Sequence, residues 1–203
     1  FSSKGMKDLL RRVPISSFED VCILNAMYRP GTLKSGIVDI FIAIKNGERE
    51  PDYYDLPEYE KVTKSTKGLI VFQEQLTKIL QVFGFSYAEA DAIRKIVSKS
   101  KGLEEINKYR EEFIKKVKKT AKWSERKADE FFEKIQFFGQ YAFNRAHSTA
   151  YAMIAYWTAY LKFYYYDEFM QACLTCVSDD KKQEFINDLI RHGYKLNKVD
   201  INR

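Results

Sequence analysis

Cysteine is scarce: Cys22, Cys173 and Cys176 are the only three in 203 residues. An odd count excludes a fully paired disulfide scaffold, and the sequence reads as that of an intracellular, reduced protein. Histidine is scarcer, with His147 and His192 alone. The pair Cys173-x-x-Cys176 therefore has neither a second pair nor a nearby imidazole to complete a zinc tetrad; it fits helix packing, and no metal site is read here. Long apolar runs are missing too. The longest uncharged one, Ser148 to Leu161, has 14 residues, short of the roughly 20 that span a bilayer. No signal-peptide pattern opens at Phe1. Alternating apolar and polar stretches are rare, which argues against an extensive sheet.

What is present is a globular composition, 45% apolar and 15% aromatic with 31% charged residues, enough to bury a core and stay out of the disordered class. Apolar spacings of three and four run through the chain, so the expected fold is mainly α with little strand content. Ser16 and Glu19 form an expected capping box before Val21, Leu24 and Tyr28, and that helix should end at Arg29-Pro30-Gly31. Thr32 to Thr66, punctuated by Pro51 and Pro57, reads as a loop with short ordered pieces, and "NGEREPDYYDLPEYE" as an acidic exposed excursion. Phe72, Leu76, Ile79, Leu80 and Phe83 mark a helical face closed by Gly84. Ser86 and Glu89 form a second capping box, ahead of Ile93, Ile96 and Val97. Leu103, Ile106, Phe113 and Val117 line another face, and Ser124 is the expected N-cap of a helix burying Ala128, Phe131, Phe132 and Ile135. Gly139 interrupts the pattern. Two further apolar faces, Phe169 to Val177 and Phe185 to Ile190, end at Gly193.

The net charge is +6, from 34 Lys and Arg against 28 Asp and Glu. From Arg94 to Lys127 there are 13 basic and 5 acidic residues, so the whole excess is local. Such a segment is either a solvated helix face or a surface that contacts phosphates by counterion release. The interleaved Tyr109, Phe113 and Trp123 argue only weakly for base stacking.

The stretch "QYAFNRAHSTAYAMIAYWTAY" places Arg145 and His147 directly before a run that is apolar on every side. Such a run, if helical, is expected to be buried, with its N-terminus held rigidly. Amide groups at a helix start attract anions, and an arginine and a histidine there would add charge and directional donors. His147 and Tyr151, four apart, share a face. A polar boundary before a core helix is the plainer reading of the same spacing.

Longer stretches resemble one family. "YAFNRAHSTAYAMIAYWTAYLKFYYYDEFMQACLT" is similar to the fingers segment of the bacterial C-family replicative polymerases, the alpha subunits of DNA polymerase III, with its FN-[KR]-x-H-x-x-AY core. "SKGMKDLL", "AMYRPG", "KGLIVFQEQL", "FSYAEADAIRKIVSKSK" and the terminal "VDIN" resemble further motifs of that family, in the family's order and over nearly the whole chain.

The resemblance implies a multi-helix fingers domain over 14–203, with residues 1–13 a remnant adjoining the palm. It implies contacts to an incoming deoxynucleoside triphosphate from Arg145 and His147, with Tyr151 near the base or sugar and Arg29 a further nucleotide neighbour. Arg94, Lys95, Lys99 and Lys101 are the implied primer-template DNA contacts. The reaction implied for the parent is two-metal phosphoryl transfer with Mg²⁺. Its aspartate ligands belong to the palm, which Asp39, Asp52, Asp55 and Asp91 do not match, so no catalytic residue is expected in this chain and alone it should be inactive. Palm and thumb domains, and a sliding clamp acting through the parent, are the implied partners, in a bacterial cytoplasm with no membrane. Arg145 stands where lysine also occurs in the family, Ala142 replaces a glycine, and Ser98-Lys99-Ser100-Lys101 thins a GKKK stretch; these changes bear on loop geometry while keeping positive charge. A helical nucleic-acid-binding module without a polymerase role is the alternative, and it leaves the FNRAH motif unexplained.

Overall fold

A computed structural model describes residues 3–98 and 106–195. Among them are twelve α-helices, one 3-10 turn and a single isolated β-bridge, so the mainly helical expectation holds. The chain divides into two compact units, Phe1–Ala152 and Met153–Arg203.

The first unit has two cores. One gathers α1 (Lys4–Arg12), α2 (Phe18–Met27) and α4 (Ile37–Lys45) around Leu24, Met27, Phe41 and Phe72; between the last two helices lies the short α3 (Pro30–Lys34). Met6, Leu9 and Val13 are buried in this core, so residues 4–13 are an integral part of it. The other core gathers α5 (Pro57–Thr63), α6 (Gln73–Val82), α7 (Tyr87–Ser98), α8 (Arg110–Ala121) and α9 (Glu125–Gly139). Its centre is aromatic: Phe83 meets Phe113 edge-on at 5.6 Å, and Trp123 meets Phe131 edge-on at 5.3 Å, the arrangement ring quadrupoles favour. Phe113 lies within this core, and Tyr109 and Trp123, partly buried, pack against it, so the aromatics of the basic segment have packing roles. Leu103 lies outside the described residues.

The caps expected at Ser86 and Ser124 are present. Glu89 and Ser86 bond reciprocally, and the Ser124 hydroxyl accepts the Lys127 N–H at 3.2 Å. The first capping box is displaced by one residue from the expected Ser16 and Glu19. Ser17 is the N-cap and Asp20 returns the bond, because the Asp20 carboxylate accepts both the Ser16 and Ser17 N–H groups. Glu19 is thereby released to another partner.

Thr32 to Thr66 holds more helix than expected. Ile37, Val38, Phe41 and Ile42 give α4 a buried stripe, and Pro57 starts α5 at its first turn, where its missing N–H costs nothing. The acidic excursion is anchored by its tyrosines: Tyr59 is 2% exposed and its hydroxyl donates to Gly68 O at 2.7 Å, while Tyr54 sits edge-on to Phe131. Gly68 has φ +81°, and a Cβ there would stand 2.5 Å from Asp52 O, so only glycine fits this closure.

In the second unit α11 (Tyr166–Cys176) packs on α12 (Asp179–Arg191), burying Met170 and Leu189. The expected faces are otherwise half open, with Ile190 57% exposed. Around the rim Tyr166 donates to Asp188, which also pairs with Lys162 at 2.8 Å, and the Tyr166 phenol is pushed up to about 12 by burial and the Asp188 carboxylate.

The ion pair Asp20–Lys45 is buried, with side chains 5% and 8% exposed and 3.0 Å between them. Burial pushes the Asp20 carboxyl up, but hydrogen bonds from Ser16 and Lys45 outweigh it and hold the group below the usual carboxylate range. A depressed folded-state pKa stabilises the fold above the unfolded value near 3.9, and that stability is lost as pH falls through the folded value. Asp20→Asn should cost about 3–5 kcal/mol at neutral pH by stranding a buried ammonium, and should flatten the acid limb of the stability profile below about pH 4. Urea unfolding from pH 2 to 7 checks both.

Candidate functional site

The local constraint is the parallel bridge between Phe72 and Phe143. Phe143 N–H donates to Val71 O and Gln73 N–H to Phe143 O, each at 2.9 Å. The chain before α6 is thus tied to the chain before α10 (Arg145–Tyr164), and both helices start from the same place. Asn144 supplies the cap: its side-chain oxygen accepts the His147 N–H at 2.8 Å.

Arg145 opens α10. Its guanidinium lies over the Phe72 ring at 5.3 Å and pairs with Glu19 at 2.9 Å, the carboxylate released by the shifted capping box. Its backbone N–H donates to both oxygens of Glu74 at 3.1 Å. His147, Tyr151 and Arg29 belong to the other ring. Arg29 lies over Phe143 at 4.6 Å, His147 meets the same ring edge-on at 5.3 Å, and Tyr151 tilts against His147 at 4.6 Å. All four predicted nucleotide residues therefore gather at the two bridged phenylalanines, though Arg145 takes a different ring from the rest and Tyr151 reaches its ring through His147.

Their environments differ. His147 and Tyr151 are exposed, and the His147 ring makes no hydrogen bond among the described residues. Arg29 is partly buried and donates to Ala26 O and Tyr141 O; burial pushes its pKa down. It fixes the approach to Phe143 as well as adding charge.

The expectation that Ser148 to Leu161 forms a buried helix does not hold. The helix is there, but Ser148 and Ala152 are its only fully covered positions, while Tyr151 and Trp157 are each 56% exposed and Phe163 is 78% exposed. Two small residues four apart make a narrow seam, and the remaining faces stay open among the described residues. The seam is tied to α2: the Ser148 hydroxyl donates to Cys22 O at 2.6 Å, and Asn25 donates to Ser148 O at 3.2 Å.

Of the predicted DNA contacts, Lys99 and Lys101 lie outside the described residues. Arg94 and Lys95 both pair with Asp91 at 2.7 Å, and these bonds, that of Lys95 first, hold the Asp91 carboxyl below its ordinary range. Arg94 also donates to Gln73 Oε1 and lines a cleft of about 360 Å³ with Asn144, the residue before Arg145. Much of the charge from Arg94 to Lys127 is neutralised from outside that segment, as by Asp129 on Arg110, but the exposed Lys115, Lys119 and Lys122 make no ion pair among the described residues. Glu19, Phe72 and Glu74 lie against the predicted residues although the sequence gives them no site role: Glu19 reads there as a capping-box partner and Phe72 as a core position, and the one signal for Glu74 is the "FQEQL" match.

No group of three or more His, Cys, Asp or Glu side chains that could hold a metal ion occurs among the described residues. No helix among the described residues is long and apolar enough to cross a membrane.

Residues 1–121 match the family described as the bacterial DNA polymerase III alpha subunit finger domain, and the chain belongs to that family. It is 41% identical over 203 residues to the DNA polymerase III subunit alpha of Aquifex aeolicus, covering 99% of this chain and 17% of that protein. With the same subunit of Campylobacter jejuni it shares 39% over 204 residues, covering 99% and 17%. With that of Escherichia coli it shares 38% over 207 residues, covering 98% and 18%. The chain thus spans less than a fifth of the length of these relatives.

Ser148 carries the seam between α10 and α2. Ser148→Ala should cost about 0.5–1.5 kcal/mol of stability, the net worth of one buried hydrogen bond, since the Cys22 carbonyl lies inside α2 and loses only its second donor. Thermal and denaturant unfolding measure this.

Proposed function

We propose that this chain is the fingers region of a DNA-directed DNA polymerase, holding the incoming deoxynucleoside triphosphate and part of the primer-template. The observation that carries the reading is the gathering of Arg145, His147, Tyr151 and Arg29 at the two bridged rings where α10 starts, in a chain of this family. Cations fixed by backbone and packing are the kind of preorganised groups that stabilise charge moving onto a phosphoryl group. Arg145 would exchange Glu19 for phosphate oxygens, and His147, whose ring nitrogens make no hydrogen bond among the described residues, would donate beside it. Tyr151 would lie one turn further, toward the base or sugar, and Arg29 would act through Phe143 and through its charge.

Arg94, Lys95, Lys99 and Lys101 would contact the primer-template backbone, Arg94 nearest the nucleotide. Mg²⁺ would be held by parent carboxylates outside this chain, so the chain alone should not extend a primer. Palm and thumb domains and a sliding clamp acting through the parent are the proposed partners, residues 1–13 adjoin the palm, and the setting is the bacterial cytoplasm.

In the full-length polypeptide that carries this chain, Arg145→Ala should lower single-nucleotide incorporation by about 2–4 kcal/mol of transition-state stabilisation. His147→Ala should act in the same direction, with primer-template affinity nearly unchanged. Incorporation kinetics with parallel DNA-binding and unfolding measurements test this; wild-type incorporation by both variants would sink the triphosphate assignment. Charge reversal at Lys95, Lys99 and Lys101 should reduce the log–log salt dependence of duplex binding by about 0.9 for each phosphate no longer neutralised. An unchanged slope would leave these lysines as a solvated face.

A further inference from the structure

A second cleft, of about 670 Å³, opens on the Glu74 side of the bridge. Lys61 reaches it from α5, Lys64 and Ser65 from the 3-10 turn Lys64–Thr66, Glu74 and Lys78 from α6, and Arg145 from α10. Four cations from separate elements thus line one concavity, and Glu74 is the single carboxylate among the lining residues. Lys64 is partly engaged by Glu60 at 3.5 Å and Arg145 by Glu19 at 2.9 Å. Lys61 and Lys78 make no ion pair among the described residues. A concave surface with uncompensated charge of one sign focuses the field and draws in counter-ions.

Glu74 is no mobile rim residue. Its carboxylate accepts the Arg145 backbone N–H through both oxygens and the Asn144 side-chain amide at 3.1 Å. Although Lys78 follows four residues later, on the same helix face, the two do not pair within 4.0 Å. An anionic group is held among four cations without being used up by any of them as an ion pair.

We propose that this cleft binds a polyphosphate group, with Lys61, Lys64 and Lys78 joining Arg145 in holding it and Glu74 as the resident anion that competes with it. The proposal takes the role of Arg145 from the nucleotide reading and extends it to three lysines and a carboxylate which that reading does not use. A compact polyanion suits converging cations in a cavity, whereas a duplex needs charges set along a surface, as Lys115, Lys119 and Lys122 are along and just after α8. The phosphates can belong to free pyrophosphate or to the tail of a nucleotide.

The test uses the full-length polypeptide with divalent cations chelated, so that a metal site elsewhere contributes nothing. Inorganic pyrophosphate is titrated into the wild type, the double variant Lys61→Glu/Lys78→Glu, and Glu74→Gln, which keeps an acceptor for Arg145. The double variant should bind pyrophosphate at least about tenfold more weakly, since tenfold is the low end for losing even one charge-assisted hydrogen bond, and Glu74→Gln should bind it several-fold more tightly. A deoxynucleoside triphosphate titrated alongside separates the sources: a parallel weakening assigns the cleft to the nucleotide tail, and a weakening for pyrophosphate alone assigns it to the free anion. Unchanged pyrophosphate affinity in a double variant with wild-type unfolding behaviour would overturn the proposal, as would an equal loss of duplex DNA affinity. Weaker pyrophosphate binding in the double variant together with wild-type incorporation by Arg145→Ala would instead overturn the nucleotide reading and keep the cleft.

Discussion

Two backbone hydrogen bonds at the Phe72–Phe143 bridge set the geometry of everything around the candidate site. Each is worth only about 0.5–1.5 kcal/mol net, but Val71, whose carbonyl accepts one of them, is buried, so that bond left unmade would strand a polar group away from water. The bridge fixes where α6 and α10 begin and presents two aromatic rings. On those rings Arg29, Arg145 and His147 find their places.

Electrostatics adds a second constraint. The cations near the bridge are held by the protein's own acids: Glu19 on the Arg145 side chain, Glu74 on its backbone and Asp91 on Arg94 and Lys95. Preformed pairs keep long side chains ordered before any ligand arrives, which reduces the entropy lost on binding. Any anion approaching these cations would have to outcompete a carboxylate.

The helices are legible in the sequence because their signals are local. Ser86 with Glu89, Ser124, and the stripe from Leu76 to Phe83 each lie within one or two turns, and each is found as expected. Ser17 displaces Ser16 as N-cap because Asp20 is also a buried partner of Lys45, a tertiary fact with no local trace. Apolar character around all of α10 is a correct reading of composition and a wrong reading of burial, since periodicity reports which face is apolar and not whether a neighbour exists to cover it. Position before an apolar run singles out Arg145 and His147, but a plainer boundary reading fits the same spacing, and Arg29 is reached only through the YRPG motif. Glu19, Lys61 and Lys78 escape because nothing in their spacing relates them to Arg145; the fold alone brings them there.

Such distances along the chain have a consequence for how the protein folds. The Ser148 hydroxyl meets Cys22 O, and Arg145 meets Glu19, each across 126 positions of sequence, whereas α6 meets α7 and α8 meets α9 through short connections. Closing a loop costs entropy that rises slowly, by about 0.6 kcal/mol for each doubling of length, yet it must be met before any long-range contact repays it. Chains dominated by such contacts fold more slowly than those built from neighbours. The helical hairpins can therefore form early and independently, while the junction of α2 with α10 waits for the two ends of the first unit to find each other. The Arg145–Glu19 pair is therefore made late in folding, with the last of the tertiary contacts.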